Sequence, residues 1–167
     1  MKTFSFQSKI GFFILCYIQK YNHEKYWCRR NIVINPKNNT NILIKLYYLN
    51  YIKKVDAYHN CSFGTNLNSG TIFDSPPHLP HGPKGIIIGH DLHIGRNVTI
   101  FHQVTLAHGK GIIGSNVLFG AGSKLMGGYN VGDNVKIGAN AVVIENIPDN
   151  ATVVLPKPRI IKNRVNV

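Results

Sequence analysis

Acidic side chains are scarce in this sequence: seven Asp and Glu stand against nineteen Lys and Arg, a formal charge of +12. Such an excess favours anionic partners such as phosphates or nucleic acid. The basic residues, however, are spread through the N-terminal third and the tail with no aromatic-interleaved basic stripe. Nucleic acid is therefore not an expected partner. Cysteine is equally sparse, and Cys16, Cys28 and Cys61 are odd in number, widely spaced and without a CxxC pair. That argues against a disulfide framework and fits a reducing cytoplasm. Long apolar runs are also missing. The stretch from Ile10 to Ile18 is about half the ~20 residues of a membrane span. It follows a lysine, yet no small-residue cleavage site comes after it, so neither a signal peptide nor an integral membrane segment is expected. We read Phe4 to Gln19 as a core-packing helix, with a peripheral membrane contact as the alternative.

What the sequence has in abundance is a period of six between Ile88 and Ile161. Apolar residues recur at Ile88, Ile94, Ile100 and Leu106, skip one place, and continue at Ile113, Phe119, Leu125, Val131, Ile137 and Val143. A smaller or branched residue follows four places on, at Leu92, Val98, Val104, Val117, Ser123, Val135, Ala141 and Ile147. This period matches neither the 3.6 of an α-helix nor the alternation of a two-faced sheet. It matches a parallel β-helix, in which each hexapeptide makes one short strand and one corner. The leading residue points inward and stacks on its counterpart one coil away, at the ~4.8 Å spacing of neighbouring strands. Glycines such as Gly89, Gly95, Gly114 and Gly120, and asparagines Asn97, Asn116, Asn134 and Asn140, suit the φ > 0 turn of a sharp corner.

Upstream, His23 to Arg30 predicts a short helix, and Asn35-Pro36 with Asn38-Asn39 marks a loop. Asn41 can cap a second helix through about Lys54, with Leu43, Leu46, Tyr47, Asn50, Tyr51 and Lys54 on its broad apolar face. The expected division is a helical region over residues 1–56, followed by a mainly β domain over 57–167 that includes a C-terminal tail. The aromatic content of the helical region suits packing against the mouth of the coil or against a neighbouring subunit. Between Phe73 and Gly85, four prolines and two histidines interrupt the repeat. Proline fixes φ and removes donors, so this loop holds side chains in place rather than joining the sheet. It is the first candidate for chemistry.

Lys25-Tyr26-Trp27 with Arg29-Arg30, the run from Lys45 to Ala57, Leu79-Pro80-His81-Gly82, Gly85 to Ile88, and Thr99 to Thr105 (TIFHQVT) together carry a resemblance. They resemble the serine acetyltransferase-like branch of the hexapeptide acyltransferases, most closely members associated with bacterial capsule and polysaccharide modification. The resemblance spans about Tyr26 to Ile161. It implies a left-handed parallel β-helix, a homotrimer, and acetyl-CoA as co-substrate without a metal.

Acyl transfer from a thioester to a hydroxyl needs a base for the hydroxyl proton, and imidazole suits that task. The resemblance implies that the base is His81, with His78 shaping the loop. Serine acetyltransferases place an aspartate immediately before this histidine, where this chain has Pro80. An ammonium-bearing acceptor would lose its counter-charge, which favours a sugar hydroxyl over serine. Asp56 and Asp74 are the upstream candidates to orient the base, and a backbone carbonyl is the alternative. His102 points outward by the hexapeptide phase and can line the groove. His108 occupies the loop where the family carries a CoA-lining histidine, and a solvated loop histidine is the competing reading. The resemblance assigns pantetheine contacts to Ala121, Gly122 and Ala139. Gly120 lets that arm approach the backbone while also serving the corner. Lys157, Arg159, Lys162 and Arg164 near the tail are positioned for the CoA phosphates. Where the family has a GVPA-type turn, this chain reads Leu155-Pro156-Lys157-Pro158.

His78/His81 and His90/His93 have HxxH spacing, but no histidine occurs after His108. HxxH on a strand also sends its two side chains to opposite faces, so zinc is not expected. The resulting expectation is a cytoplasmic, CoA-dependent O-acetyltransferase acting on a sugar or polysaccharide precursor. Serine O-acetyltransfer and a non-catalytic β-helix scaffold are the alternatives.

Overall fold

The computed structural model describes residues 16–157. Of the helix expected over 4–19, only 16–19 is described, and it is helical. Two longer helices follow, α1 (His23–Ile34) and α2 (Ile42–His59). Asn22 and Asn41 cap them: their side chains accept the backbone N–H groups of Lys25 and Leu43, satisfying donors that have no partner inside the first turn. Among the described residues no helix is long and apolar enough to cross a membrane.

From Ser62 onward the chain winds as a parallel β-helix of two-residue strands on three faces. One face stacks β1 (Ser62–Phe63), β5 (Ile87–Ile88), β8 (Thr105–Leu106), β11 (Lys124–Leu125) and β13 (Val142–Val143). A second stacks β7 (Thr99–Ile100), β10 (Leu118–Phe119), β12 (Lys136–Ile137) and β14 (Thr152–Val153). The third stacks β4 (Ile72–Phe73), β6 (His93–Ile94) and β9 (Ile112–Ile113), and Val131 and Ile147 extend it as single bridges. An antiparallel hairpin, β2 (Thr65–Asn66) and β3 (Ser69–Gly70), sits at the start.

The register puts the six-residue pattern into three inward ladders. Ile88, Leu106, Leu125 and Val143 form one, and Ile100, Phe119, Ile137 and Val153 another. Ile94 and Ile113 lead the third, which runs on through Val131 to Ile147. All ten leading residues read from the sequence are buried. Each such side chain contributes ~1.5–3 kcal/mol of burial.

The corner chemistry differs in one respect from expectation. The asparagines do take the left-handed turn: Asn97, Asn116, Asn134 and Asn140 have φ of 55°, 58°, 58° and 57°. The repeat glycines do not need it. A Cβ at Gly120 would lie 2.6 Å from Ala139 N, and one at Gly95 2.7 Å from Gly114 C. Glycine is required there because successive coils approach too closely for a side chain.

The helical region closes the mouth of this prism. Tyr26, Trp27, Phe63 and Phe73 form an edge-to-face cluster. Arg30 is fully buried and donates to Phe63 O and Thr71 O (both 2.7 Å) and Thr65 Oγ1 (3.0 Å), satisfying carbonyls at the open end of the coil. Burial lowers its pKa to about 10, against the raising influence of Tyr26 and Asp56.

The inward face of α2 is not the one read from the sequence. Leu43, Leu46 and Tyr47 are exposed, whereas Lys45, Ile52, Val55, Asp56 and His59 are buried. Lys45 can face inward because its Nζ reaches Asn35 O (2.9 Å) and Asn68 Oδ1 (2.8 Å). The outer tyrosines Tyr47, Tyr48 and Tyr51 instead gather round the Arg29 guanidinium.

Candidate active site

The proline-rich loop is anchored at both ends. His78 bridges to Thr99, its N–H donating to Val98 O and its carbonyl accepting from Ile100. At the other end Gly85 N–H donates to His59 O (3.1 Å) at the C-terminus of α2. Between them, Gly82 N–H closes a turn onto Leu79 O (3.0 Å), and Gly82 has φ +69°. Proline at the second place and glycine at the fourth are favoured in such a turn. His81 occupies the third place and projects from it.

There its Nδ1 lies 2.8 Å from Nδ1 of His102. The Phe101 ring meets the His81 ring edge-on, with centroids 5.3 Å apart. Beside this pair is a cavity of about 900 Å³, walled by the loop and by residues Gln19, Tyr21, His23, Tyr58 and His59. A shallower hollow on the other side is formed by Asn60, His81, Lys84, Gly85, His102 and Gln103. The size suits a small acceptor. Among the described residues no carboxylate lines either space, and Lys84 borders both. Burial lowers the pKa of His23 and of His59, with His78 and Lys84 respectively adding to the effect. Both imidazoles are thus held towards their neutral forms.

Other residues singled out in the sequence are distributed differently. His78 joins His81 on the cavity wall. Asp74 does not: its carboxylate accepts from His93 Nε2 at 2.8 Å. Asp56 is occupied by the Tyr26 hydroxyl at 2.6 Å. Neither lines the cavity or the hollow beside His81; each carboxylate instead meets a partner on another part of the chain. His108 lies apart from the cavity, meeting the His90 ring edge-on with centroids 4.3 Å apart and with Asp91 Oδ1 3.5 Å away. His90 and His93 thus turn to different partners. Gly122 N–H donates to His102 O (3.0 Å), and Asn140 N–H to Ala121 O (2.8 Å). Gly120, Ala121 and Gly122 therefore lie one coil beyond His102, and Ala139 lies two coils beyond it. Lys157 is exposed; Arg159, Lys162 and Arg164 lie outside the described residues.

Tyr58, His59 and Lys84 were not singled out from the sequence. They reach the cavity through the contact of the α2 terminus with Gly85, a tertiary pairing with no local signal. His102 was read from the sequence as a groove-lining residue, but its pairing with His81 was not: the register of Ile87 on Thr105 places the end of the loop directly against residues 102–103.

A family model described as the hexapeptide repeat of succinyl-transferase matches residues 112–145. The serine acetyltransferase of Helicobacter pylori is 40% identical over 106 residues, covering 59% of this chain and 61% of that protein. A serine acetyltransferase solved in complex with CoA is 26% identical, with a TM-score of 0.60 over 77% of this chain and 50% of its own. Isoform 3 from Entamoeba histolytica, solved with cysteine, is 27% identical with a TM-score of 0.60, over 71% and 44%.

The coil carries hexapeptide repeats and is similar to that of serine acetyltransferases. The chain spans less than two thirds of the length of these relatives. Their names carry no capsule or polysaccharide association, so the finer branch expected from the sequence is not supported by them.

Proposed function

We propose that this serine acetyltransferase-type chain transfers an acetyl group from acetyl-CoA to a hydroxyl, with His81 as general base. The observation that carries the reading is the position of His81: it stands at a cavity sized for a small acceptor, held on a turn and bonded at Nδ1. Its other ring nitrogen, Nε2, is the one left to meet the acceptor. His81 takes the hydroxyl proton as the oxygen attacks the thioester carbon. The C–S bond then breaks, and His81 returns that proton to the departing CoA sulfur. The small-residue corner of Gly120, Ala121, Gly122 and Ala139 would hold the pantetheine arm, with Lys157 and Lys162 on the phosphates. A cytoplasmic homotrimer belongs to the same proposal.

The cavity favours an acceptor without an ammonium group, such as a sugar. With Pro80 at the turn and no carboxylate on the wall among the described residues, a positively charged amine would face Lys84 unpaired. Serine is the second reading, favoured by the names of the relatives.

Thermal unfolding with and without acetyl-CoA tests the binding step, since a ligand of the native state alone must raise Tm. Release of CoA thiol against serine and a panel of sugars then tests the acceptor. Faster turnover with a sugar supports the first reading; saturable turnover with serine alone supports the second. Neither stabilisation nor release with any acceptor would favour a scaffold role.

A further inference from the structure

We propose that His102 is the positioning residue for His81, doing the work usually given to a carboxylate by accepting the His81 Nδ1 proton. This rests on the reading of His81 as the base. None of the seven carboxylates lines the cavity or the adjoining hollow. Five are bonded elsewhere: Asp56 and Asp74 as described, Asp91 to the N–H groups of Gly109 and Lys110, Asp133 to Ser115 N, and Asp149 to Asp133 N. The group that does meet His81 Nδ1 is an imidazole.

A 2.8 Å contact between two ring nitrogens needs one donor and one acceptor. If His102 donated, neutral His81 would carry its proton on Nε2 and could accept none there. If His81 donates from Nδ1, its Nε2 keeps a free lone pair on the side left for the acceptor. Only this second tautomer makes a base. Once His81 gains the acceptor's proton, the same Nδ1–H bond becomes charge-assisted and holds the imidazolium in place.

The anchoring also runs in the right direction. His102 sits on the coil between Phe101, whose N–H donates to Phe119 O, and Gln103, whose N–H donates to Lys84 O. Its own carbonyl accepts from Gly122. A residue on the regular coil thus orients a residue on the turn.

Three variants test this: His102→Phe keeps a ring without an acceptor, His102→Asn returns an oxygen near the Nδ1 place, and His81→Ala removes the base. We expect His102→Phe to lower kcat by roughly 10²-fold, with KM for acetyl-CoA and Tm unchanged. His102→Asn should recover most of that loss. In the His81→Ala background, His102→Phe should add nothing, because groups acting as one unit are not additive. Wild-type kcat in His102→Phe, or a full further loss in the double variant, would overturn the proposal. If His81→Ala itself turns over normally, the catalytic reading fails instead. The pair is then decided by ¹⁵N NMR of the histidine rings, which reads the tautomer directly. The proposal expects Nδ1–H at His81, converting to Nε2–H in His102→Phe. Nε2–H in the wild type would refute it.

Discussion

The Tyr26 hydroxyl donates to Asp56 Oδ1 across 2.6 Å in the buried seam between α1 and α2. Burial nevertheless raises the pKa of Asp56, outweighing the opposing hydrogen bond from Tyr26 and the charge of Lys53. With the folded value raised, Asp56 contributes stability that is fully present below its unfolded pKa and lost as pH rises through the folded one. Asp56→Asn, which keeps an oxygen for Tyr26, should therefore gain on the wild type as pH rises through the raised pKa of Asp56. Urea unfolding at a series of pH values checks this; a pH-independent difference would contradict it.

Arg30 offers a larger effect. Its loss leaves Phe63 O and Thr71 O unpaired at the mouth of the coil. Arg30→Met should cost roughly 2–6 kcal/mol, since each of the two carbonyls left unsatisfied costs about 1–3 kcal/mol. Arg30→Lys should not restore it, since an ammonium cannot reproduce the planar fork. Equilibrium denaturation measures both.

Asparagine side chains bond from coil to coil along one corner, Asn97 to Asn116 (3.3 Å), Asn116 to Asn134 (3.1 Å) and Asn134 to Asn150 (3.1 Å). Asn116 also holds φ +58°. Asn116→Ala loses both the ladder and the tolerance for the left-handed turn, whereas Asn116→Gly loses only the ladder. Alanine should therefore be the more destabilising by roughly 1–2 kcal/mol. Equal losses in thermal or chemical unfolding would mean that the ladder alone matters.

Gly120→Ala tests the close approach of coils. The added methyl would meet Ala139 N at 2.6 Å and Gly138 C at 2.9 Å, and neither backbone atom can move without opening the stack. A loss of about 1–3 kcal/mol is expected, measured by the denaturation midpoint.

The prism was legible in the sequence because a stacked coil writes itself as a period: each rung repeats the same inward demand, from Ile88 to Val143. The inward face of α2 was not. Lys45 and Asp56 resemble surface residues, and what lets them turn inward lies elsewhere in the chain, in Asn35, Asn68 and Tyr26. At the site, Leu79-Pro80-His81-Gly82 announced its turn through local residue preferences. The partner of His81 depended on how the loop overhangs the next coil, and the upstream aspartates drew attention that the geometry gives to His102. Asp74 had the right chemistry but the wrong face.

The most direct measurement is the initial rate of CoA thiol release by wild type and His81→Ala, both confirmed as folded, with the best acceptor from the panel. The account predicts a loss of about 10²–10⁴-fold in kcat on removing the imidazole. A rate within twofold of wild type would contradict it.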